Sequence, residues 1–161
     1  MSHKPYRYTE SGLDYVYLEN GFEEIDTPYG RALEIEGVDA LHRAIGKWLL
    51  QSAKALTGAE FRFLRHELDL SQKQLGRLMG EPEQNIGRWE RARSKHVNPS
   101  ADRIIRALYS ESVGSNKTLR ELIEALSEGD DRKRLPLRLQ TTKRGWKVSA
   151  DELLGACSGG A

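Results

Sequence analysis

The sequence contains few of the residues that build disulfides, cysteine-rich metal sites or membrane spans. Cys157 is the single cysteine among 161 residues, which excludes an internal disulfide and a cysteine-rich zinc site. No window approaches the roughly 18 consecutive apolar residues of a membrane span, and residues 1–8 lack the apolar segment of a signal peptide. We therefore expect a globular, cytoplasmic protein with no membrane partner.

Catalytic motifs are also missing. The four histidines match neither the HExxH pattern nor a paired His/Cys ligand set: His3, His42, His66 and His96. The lone Gly46-Lys47 lacks the earlier glycine and the following Ser/Thr of a phosphate-binding loop. A metal-dependent enzyme acting on nucleic acid would need clustered carboxylates, and residues 84–106 offer only Glu90 and Asp102. The sequence therefore predicts no enzyme activity, no metal and no cofactor.

The net charge of +1 conceals an uneven distribution along the chain. Residues 1–40 contain three basic residues against nine acidic ones, a net charge of −6. Residues 88–106 contain six basic residues against two acidic ones, a net charge of +4. Because contacts to phosphate depend on local rather than total charge, the second segment suits a nucleic acid. We expect the acidic segment to face away from DNA and to carry a dimer or partner surface.

Residues 70–90 have the pattern of two helices joined by a tight turn. Ser71 can accept a hydrogen bond from a free backbone N–H and so begin the first helix. An apolar stripe follows at helical spacing: Leu75, Leu78 and Met79. Gly80 suits the left-handed conformation that ends a helix, and Pro82 suits the first turn of the next one. The pattern predicts a helix-turn-helix.

The second predicted helix, residues 82–90, has one apolar and one polar face. Ile86 and Trp89 would face the first helix. The polar side chains point away from that contact and could read the edges of DNA bases: Glu83, Gln84, Asn85 and Arg88. Three cations follow in the next loop, where the phosphates of the backbone would run: Arg91, Arg93 and Lys95.

This stretch resembles the Xre/Cro-type helix-turn-helix repressor family from about Leu64 to Leu108, with apolar, small and glycine positions in register. The resemblance implies that Gln72 contacts phosphate, and we expect the same of its neighbour Lys73. It also implies that a basic residue of the preceding helix pairs with the Glu that closes the recognition helix. Arg65 and Glu90 occupy those two positions. The base readers implied by the family are a subset of the polar face: Glu83, Gln84 and Arg88.

The same resemblance implies a homodimer that reads two half-sites of a palindrome. Two glycines depart from the family pattern. Gly76 stands where the family usually has Ala, and Gly is less favourable than Ala in a helix by about 1 kcal/mol. Gly87 interrupts the recognition helix. Neither change removes a predicted reader.

The remainder of the chain predicts further helices and short strands. Three β-rich runs predict an N-terminal antiparallel meander, with Asn20-Gly21 as a hairpin signal: residues 15–18, 22–25 and 31–35. Six helices are predicted: residues 38–55, 57–68, 71–79, 82–90, 100–108 and 116–126. Residues 137–148 alternate about Gly145 and predict a terminal hairpin that extends the N-terminal sheet. The expected fold is mainly α, with a helix-turn-helix core.

Three domains are expected. Residues 1–56 would form a dimer or partner lobe, residues 57–129 the helix-turn-helix domain, and residues 130–161 a basic extension with a disordered tail. The arrangement of residues 8–18 ahead of residues 56–65 and the motif resembles the MqsA-type antitoxin family. That family has an N-terminal zinc-binding lobe that binds a toxin, whereas this chain has no cysteine pairs for zinc.

The function expected from these features is a sequence-specific, DNA-binding transcriptional repressor that acts as a dimer. The alternative is an antitoxin that neutralises a toxin protein through its N-terminal lobe and regulates its own operon.

Overall fold

The computed structural model describes residues 4–114 and 135–149. These residues fall into two compact units, one comprising residues 4–44 and 135–149 and the other residues 45–114. The chain therefore returns to the first unit after completing the second.

The described residues form six strands and five helices. In chain order these are β1 (Tyr6–Arg7), β2 (Val16–Leu18), β3 (Phe22–Thr27), β4 (Gly30–Ile35), α1 (Val38–Gln51), α2 (Gly58–Glu67), α3 (Gln72–Met79), α4 (Glu83–Arg91), α5 (Pro99–Ser112), β5 (Leu137–Thr142) and β6 (Gly145–Val148). The strands are arranged in two separate sheets.

The first unit contains a four-stranded sheet in the order β1-β2-β5-β6. The β2–β5 pair is parallel, and the two outer pairs are antiparallel. Val16 and Leu18 of β2 and Leu137 and Leu139 of β5 are fully buried, whereas Arg138 between the last two is exposed. Since strand side chains alternate between faces, one face of the sheet forms the core of this unit and the other is open to solvent.

A second sheet consists of β3 and β4 alone, joined by the two-residue turn Pro28-Tyr29. Its base is attached to the four-stranded sheet, because the indole N–H of Trp146 on β6 donates to the carbonyl oxygen of Glu36 at 2.8 Å. Its tip is open, and Tyr29 is 100% exposed. We call residues 22–35 the acidic arm because they contain four acids and one cation: Glu23, Glu24, Asp26, Glu34 and Arg31.

The second unit is built from the end of α1 and from α2 to α5. α2 begins with a capping box in which the Thr57 and Glu60 side chains each accept a hydrogen bond from the backbone N–H of the other. Ser71 and Gln74 form the same arrangement at the start of α3. These reciprocal bonds satisfy backbone groups that a helix start leaves free. The buried apolar side chains of this unit include Leu56, Phe61, Leu64, Leu75, Ile86 and Ile105.

The prediction of a mainly α fold with six helices is wrong. Helices account for 44% and strands for 23% of the described residues, which is a small α+β fold. The sixth predicted helix, residues 116–126, lies outside the described residues. Five of the six strands fall in runs that the sequence predicts as β, so the error lies in the weight given to the helices. Only β1 was not predicted, because a two-residue strand is too short to show a periodic pattern.

The predicted antiparallel meander is wrong at its first turn: the runs 22–25 and 31–35 do pair as β3 and β4, but the run 15–18 pairs with β1 and β5 instead. Asn20-Gly21 does not turn one strand back onto its neighbour, although Gly21 has the positive φ of 77° that the prediction required. Instead the chain passes there from one sheet to the other, and Asn20 Oδ1 accepts a hydrogen bond from the Thr141 backbone N–H at 2.8 Å. The terminal hairpin does form, as β5 and β6, and β5 extends the N-terminal sheet by pairing with β2.

Candidate nucleic-acid interface

Helix α4 has a buried side and an exposed side. Ile86, Gly87 and Glu90 are buried, and the ring of Trp89 meets that of Phe61 edge-on with centroids 5.9 Å apart. Three of the four predicted base readers lie on the exposed side: Glu83, Gln84 and Arg88. The packing of α4 therefore leaves these side chains free to meet a ligand.

The turn before α4 depends on glycine. Gly80 ends α3 in the left-handed conformation at φ 71°, which costs glycine little because it has no Cβ. Pro82 then occupies the position immediately before α4. The predicted stripe on α3 is narrower than expected, because Leu75 is fully buried but Leu78 is 58% exposed.

Asn85, the fourth predicted reader, forms a side-chain hydrogen bond with a residue just before the start of α4. Its amide Nδ2 donates to Glu81 Oε2 at 2.9 Å, and the side chain is half-buried. One of its two amide hydrogens is therefore engaged within the protein. The structure does not place Asn85 with the three exposed readers.

Arg65 and Glu90 meet in a buried, two-pronged ion pair. Arg65 Nε donates to Glu90 Oε1 at 2.5 Å, and Arg65 Nη2 donates to Glu90 Oε2 at 2.9 Å. Only 9% of the Arg65 side chain and 4% of the Glu90 side chain are exposed. The remaining guanidinium nitrogen, Nη1, donates to the carbonyl oxygen of Leu70 at 2.8 Å. The pair thus joins α2, the start of the motif and the end of α4.

Gln72, predicted to contact phosphate, belongs to the same cluster. Its Nε2 donates to Glu90 Oε2 at 2.9 Å. A Cβ placed on Gly87 would lie 3.2 Å from Arg91 Nη1 and 3.4 Å from Gln72 Oε1. The glycine that interrupts the recognition helix therefore leaves room for Gln72 and Arg91, which brings two predicted phosphate contacts together.

The other predicted phosphate contacts are exposed cations. Lys73 lies at the start of α3, and the loop after α4 carries Arg93 and Lys95. Arg103 on α5 is half-buried. This part of the surface is more positive than the sequence indicates, because both acids of residues 88–106 are buried.

Arg106 was counted in the sequence among the cations of the basic segment, but the structure removes it from the surface. It is 1% exposed, and its Nε donates to Asp102 Oδ1 on the preceding turn of α5. Its other nitrogens donate to three backbone carbonyl oxygens at and after the end of α1: Leu49 at 2.7 Å, Ser52 at 2.9 Å and Lys54 at 2.6 Å. Asp102 Oδ2 in turn accepts from the Leu56 backbone N–H at 2.7 Å.

This buried Asp102–Arg106 pair is structural, and the sequence offered only a weak signal for it. The i, i+4 spacing of an acid and a base on one helix is common on solvated faces. The apolar residues at 101, 105 and 109, which are buried, indicate that positions 102 and 106 lie toward the same side of α5. No local pattern reveals the carbonyl oxygens that Arg106 satisfies.

His66 is coupled to the cluster at α4. Partial burial of the ring and the adjacent Arg65 guanidinium lower the pKa of His66 below its ordinary value of 6.5. Arg65 Nη2 lies 3.4 Å from His66 Nε2, a geometry that suits a neutral imidazole accepting a hydrogen bond. The fold therefore favours the uncharged histidine.

Comparisons with protein-family models, with curated proteins and with solved structures gave no match to this chain. Among the described residues no helix is long and apolar enough to cross a membrane. Within that same part of the chain, no group of three or more His, Cys, Asp or Glu side chains is arranged to hold a metal ion.

Proposed function

We propose that this protein is a sequence-specific DNA-binding regulator of transcription, acting in the cytoplasm as a dimeric repressor. The observation that carries the proposal is the division of α4 into a buried side and an exposed side bearing Glu83, Gln84 and Arg88. These side chains have the chemistry to accept from cytosine, to pair with adenine and to donate two hydrogen bonds to guanine, respectively. The resemblance of the motif to Xre/Cro-type repressors points the same way.

Cations around α4 suit the phosphates that flank a groove-bound helix. Arg91 and Gln72 converge over Gly87, and the exposed Lys73, Arg93 and Lys95 extend the positive surface. Glu90 does not oppose this charge, since it is buried against Arg65. The proposed roles are therefore distinct. Arg88 discriminates between base sequences, whereas Lys95 raises the affinity for any duplex.

The test is a comparison of Arg88→Ala with Lys95→Ala. Duplexes that bind the wild-type protein are first selected from a random pool, and binding is then measured on a selected and a scrambled duplex at several salt concentrations. Arg88→Ala should cost about 1–3 kcal/mol on the selected duplex and relax the choice of one base pair. Lys95→Ala should weaken both duplexes and lower the slope of log affinity against log salt by about 1.

Arg31→Ala, which removes an exposed cation of the acidic arm, is the matched control and should bind like the wild type. Selection that enriches no common sequence would contradict the proposed function. Equal losses on both duplexes for Arg88→Ala would make Arg88 a phosphate contact rather than a reader.

The dimer is proposed because one recognition helix covers too few base pairs for genomic specificity, and two half-sites about 34 Å apart supply the rest. Light scattering should give twice the monomer mass, and the selected sequence should be a palindrome. A monomer that protects a single half-site would contradict this part of the proposal.

The acidic arm favours a second candidate function, that of an antitoxin. It is a two-stranded ribbon with its tip exposed, and Glu23 stands directly opposite Glu34. Like charges in that position are unfavourable in an isolated ribbon and would be relieved by a basic protein partner. Co-expression with the product of any adjacent small basic reading frame tests this function. An antitoxin would form a complex that Glu23→Lys/Glu34→Lys disrupts.

A further inference from the structure

The solvent face of the four-stranded sheet collects basic side chains from distant parts of the chain. The strand register places Arg7 of β1 opposite Tyr17 of β2, and Tyr17 opposite Arg138 of β5. Directly paired residues project from the same face, so these three side chains form one row. Lys147 of β6 pairs with Gln140, which lies two residues beyond Arg138 and hence on the same face.

This surface, which we call the basic face, has little opposing charge. Arg7, Arg138 and Lys147 are exposed, and the β5–β6 turn adds the exposed Lys143 and Arg144. The described strands β1, β2, β5 and β6 contain no Asp or Glu. The nearest acid along β2 is Glu19, which follows the end of that strand. The opposite face of the same strands is the buried apolar core. Arg7 is held within the unit, since its Nε and Nη2 donate to the carbonyl oxygen of Asp14 at 3.2 and 2.9 Å. Packing within the unit does not account for Arg138 and Lys147 in the same way.

The acidic arm is attached from the other side of the sheet. Trp146 precedes Lys147 on β6, so the two side chains point to opposite faces. The indole of Trp146 packs at Gly21 and donates to the carbonyl oxygen of Glu36, at the two ends of the arm. The negative charge of the acidic arm is thus separated from the basic face rather than cancelling it.

We propose that the basic face binds the sugar–phosphate backbone of double-stranded DNA, as a contact in addition to α4. Adjacent strands are about 4.8 Å apart, so four strands span roughly 15 Å. A duplex presents one phosphate charge per about 1.7 Å of its axis, so several phosphates lie within reach of the strand and turn cations. Tyr17 and Gln140 supply neutral hydrogen-bonding groups between the cations, of the kind that contact phosphate and sugar.

This inference rests on the proposed function only for the choice of ligand, and it concerns a different unit of the chain. The basic face has no groove-reading helix, so its contribution is independent of base sequence. It should therefore raise affinity on every duplex and add to the salt dependence, while leaving the preference for a selected sequence unchanged.

The test uses the full chain with the double variant Arg138→Glu/Lys147→Glu. Its affinity for a scrambled duplex is measured by fluorescence anisotropy at several salt concentrations. A slope of about −0.9 per phosphate contact corresponds to a loss of about tenfold for each contact near 0.1 M salt. We expect a loss of about 100-fold or more, a slope lowered by about 2, and an unchanged preference for the selected duplex.

The matched control is Arg31→Glu, a charge reversal in the same unit but on the acidic arm. This variant should leave the affinity and the slope of log affinity against log salt near the wild-type values. Arg138→Gln/Lys147→Gln removes the charges without introducing repulsion. It should lower the slope by the same amount while retaining the far-ultraviolet circular dichroism and the Tm of the wild type, which separates binding from folding.

An unchanged salt slope in both double variants would overturn the proposal, and the proposed function would stand if Arg88→Ala still lost its preference. A chain that selects no sequence yet shows the lowered slope would refute the proposed function and support the basic face. If Arg138→Gln/Lys147→Gln dissociates a dimer but leaves the DNA affinity per protomer unchanged, the proposal is overturned. The basic face would then bind the acidic arm of a second copy rather than DNA.

Discussion

Replacing Asp102 by Ala should strongly destabilise the second unit, because Asp102 compensates two buried groups at once. One is the Arg106 guanidinium, whose side chain is only 1% exposed. The other is the backbone N–H of Leu56, which donates to Asp102 Oδ2 at 2.7 Å. The variant would leave a buried cation without its counter-charge and a buried donor without its acceptor.

Removing one partner of a buried ion pair costs about 3–5 kcal/mol. The orphaned Leu56 N–H moves the expected loss for Asp102→Ala toward the upper end of that range, since an unsatisfied buried donor costs about 1–3 kcal/mol by itself. For a chain of 161 residues, a loss of this size lowers the Tm by about 6–20 °C. Total stability is usually about 5–15 kcal/mol, so a large part of it would be lost.

Urea denaturation followed by circular dichroism measures the effect, with Glu111→Ala as the control. Glu111 is an exposed carboxylate on the same helix, and its removal should change the free energy of unfolding by about 0.5 kcal/mol or less. Arg106→Met should also destabilise, because Arg106 satisfies three carbonyl oxygens that Met cannot. A urea midpoint for Asp102→Ala equal to that of Glu111→Ala would refute the reasoning.

Three further predictions concern the motif. Glu90→Gln should lower the free energy of unfolding by about 3–5 kcal/mol, since it leaves Arg65 buried without its counter-charge; an unchanged urea midpoint would contradict the buried pair. Gly76→Ala should destabilise the protein despite the better helix propensity of Ala, because the new Cβ would lie 2.5 Å from the Glu81 carbonyl oxygen. By contrast, the Cβ of Gly87→Ala would meet only the ends of flexible side chains, so this substitution should be neutral or stabilising by up to about 1 kcal/mol. Equal effects of the two substitutions in thermal denaturation would show that the close approach has no consequence. The lowered pKa of His66 means that the unfolded chain takes up the proton first, so stability should fall as pH drops below about 6.5 and His66→Gln should flatten that fall; identical pH profiles would exclude His66 as a cause.

Local chemistry determined the elements around α4. The capping box at Thr57 and the helix start at Ser71 follow from side chains within three residues of each other, and Gly80 ends α3 because it adopts a positive φ without strain. The alternation of buried and exposed residues along α4 follows from helical periodicity. These features need no information from distant residues, which is why Ile86 on one side and Arg88 on the other were predicted from the sequence.

The sequence predicted that the terminal hairpin would extend the N-terminal sheet, but only the tertiary structure decided which strand it joins and which charges share a surface. Asn20-Gly21 satisfies the local requirement for a hairpin, but pairing with a strand more than 100 residues away took β2 into another sheet, and no local pattern encodes such a partner. Folding also buried Arg106, and it placed Arg138 and Lys147 on the same sheet face as Arg7. Charge counted along the chain therefore differed from charge on the surface, because long-range strand pairing and burial determine which charged groups face the solvent together.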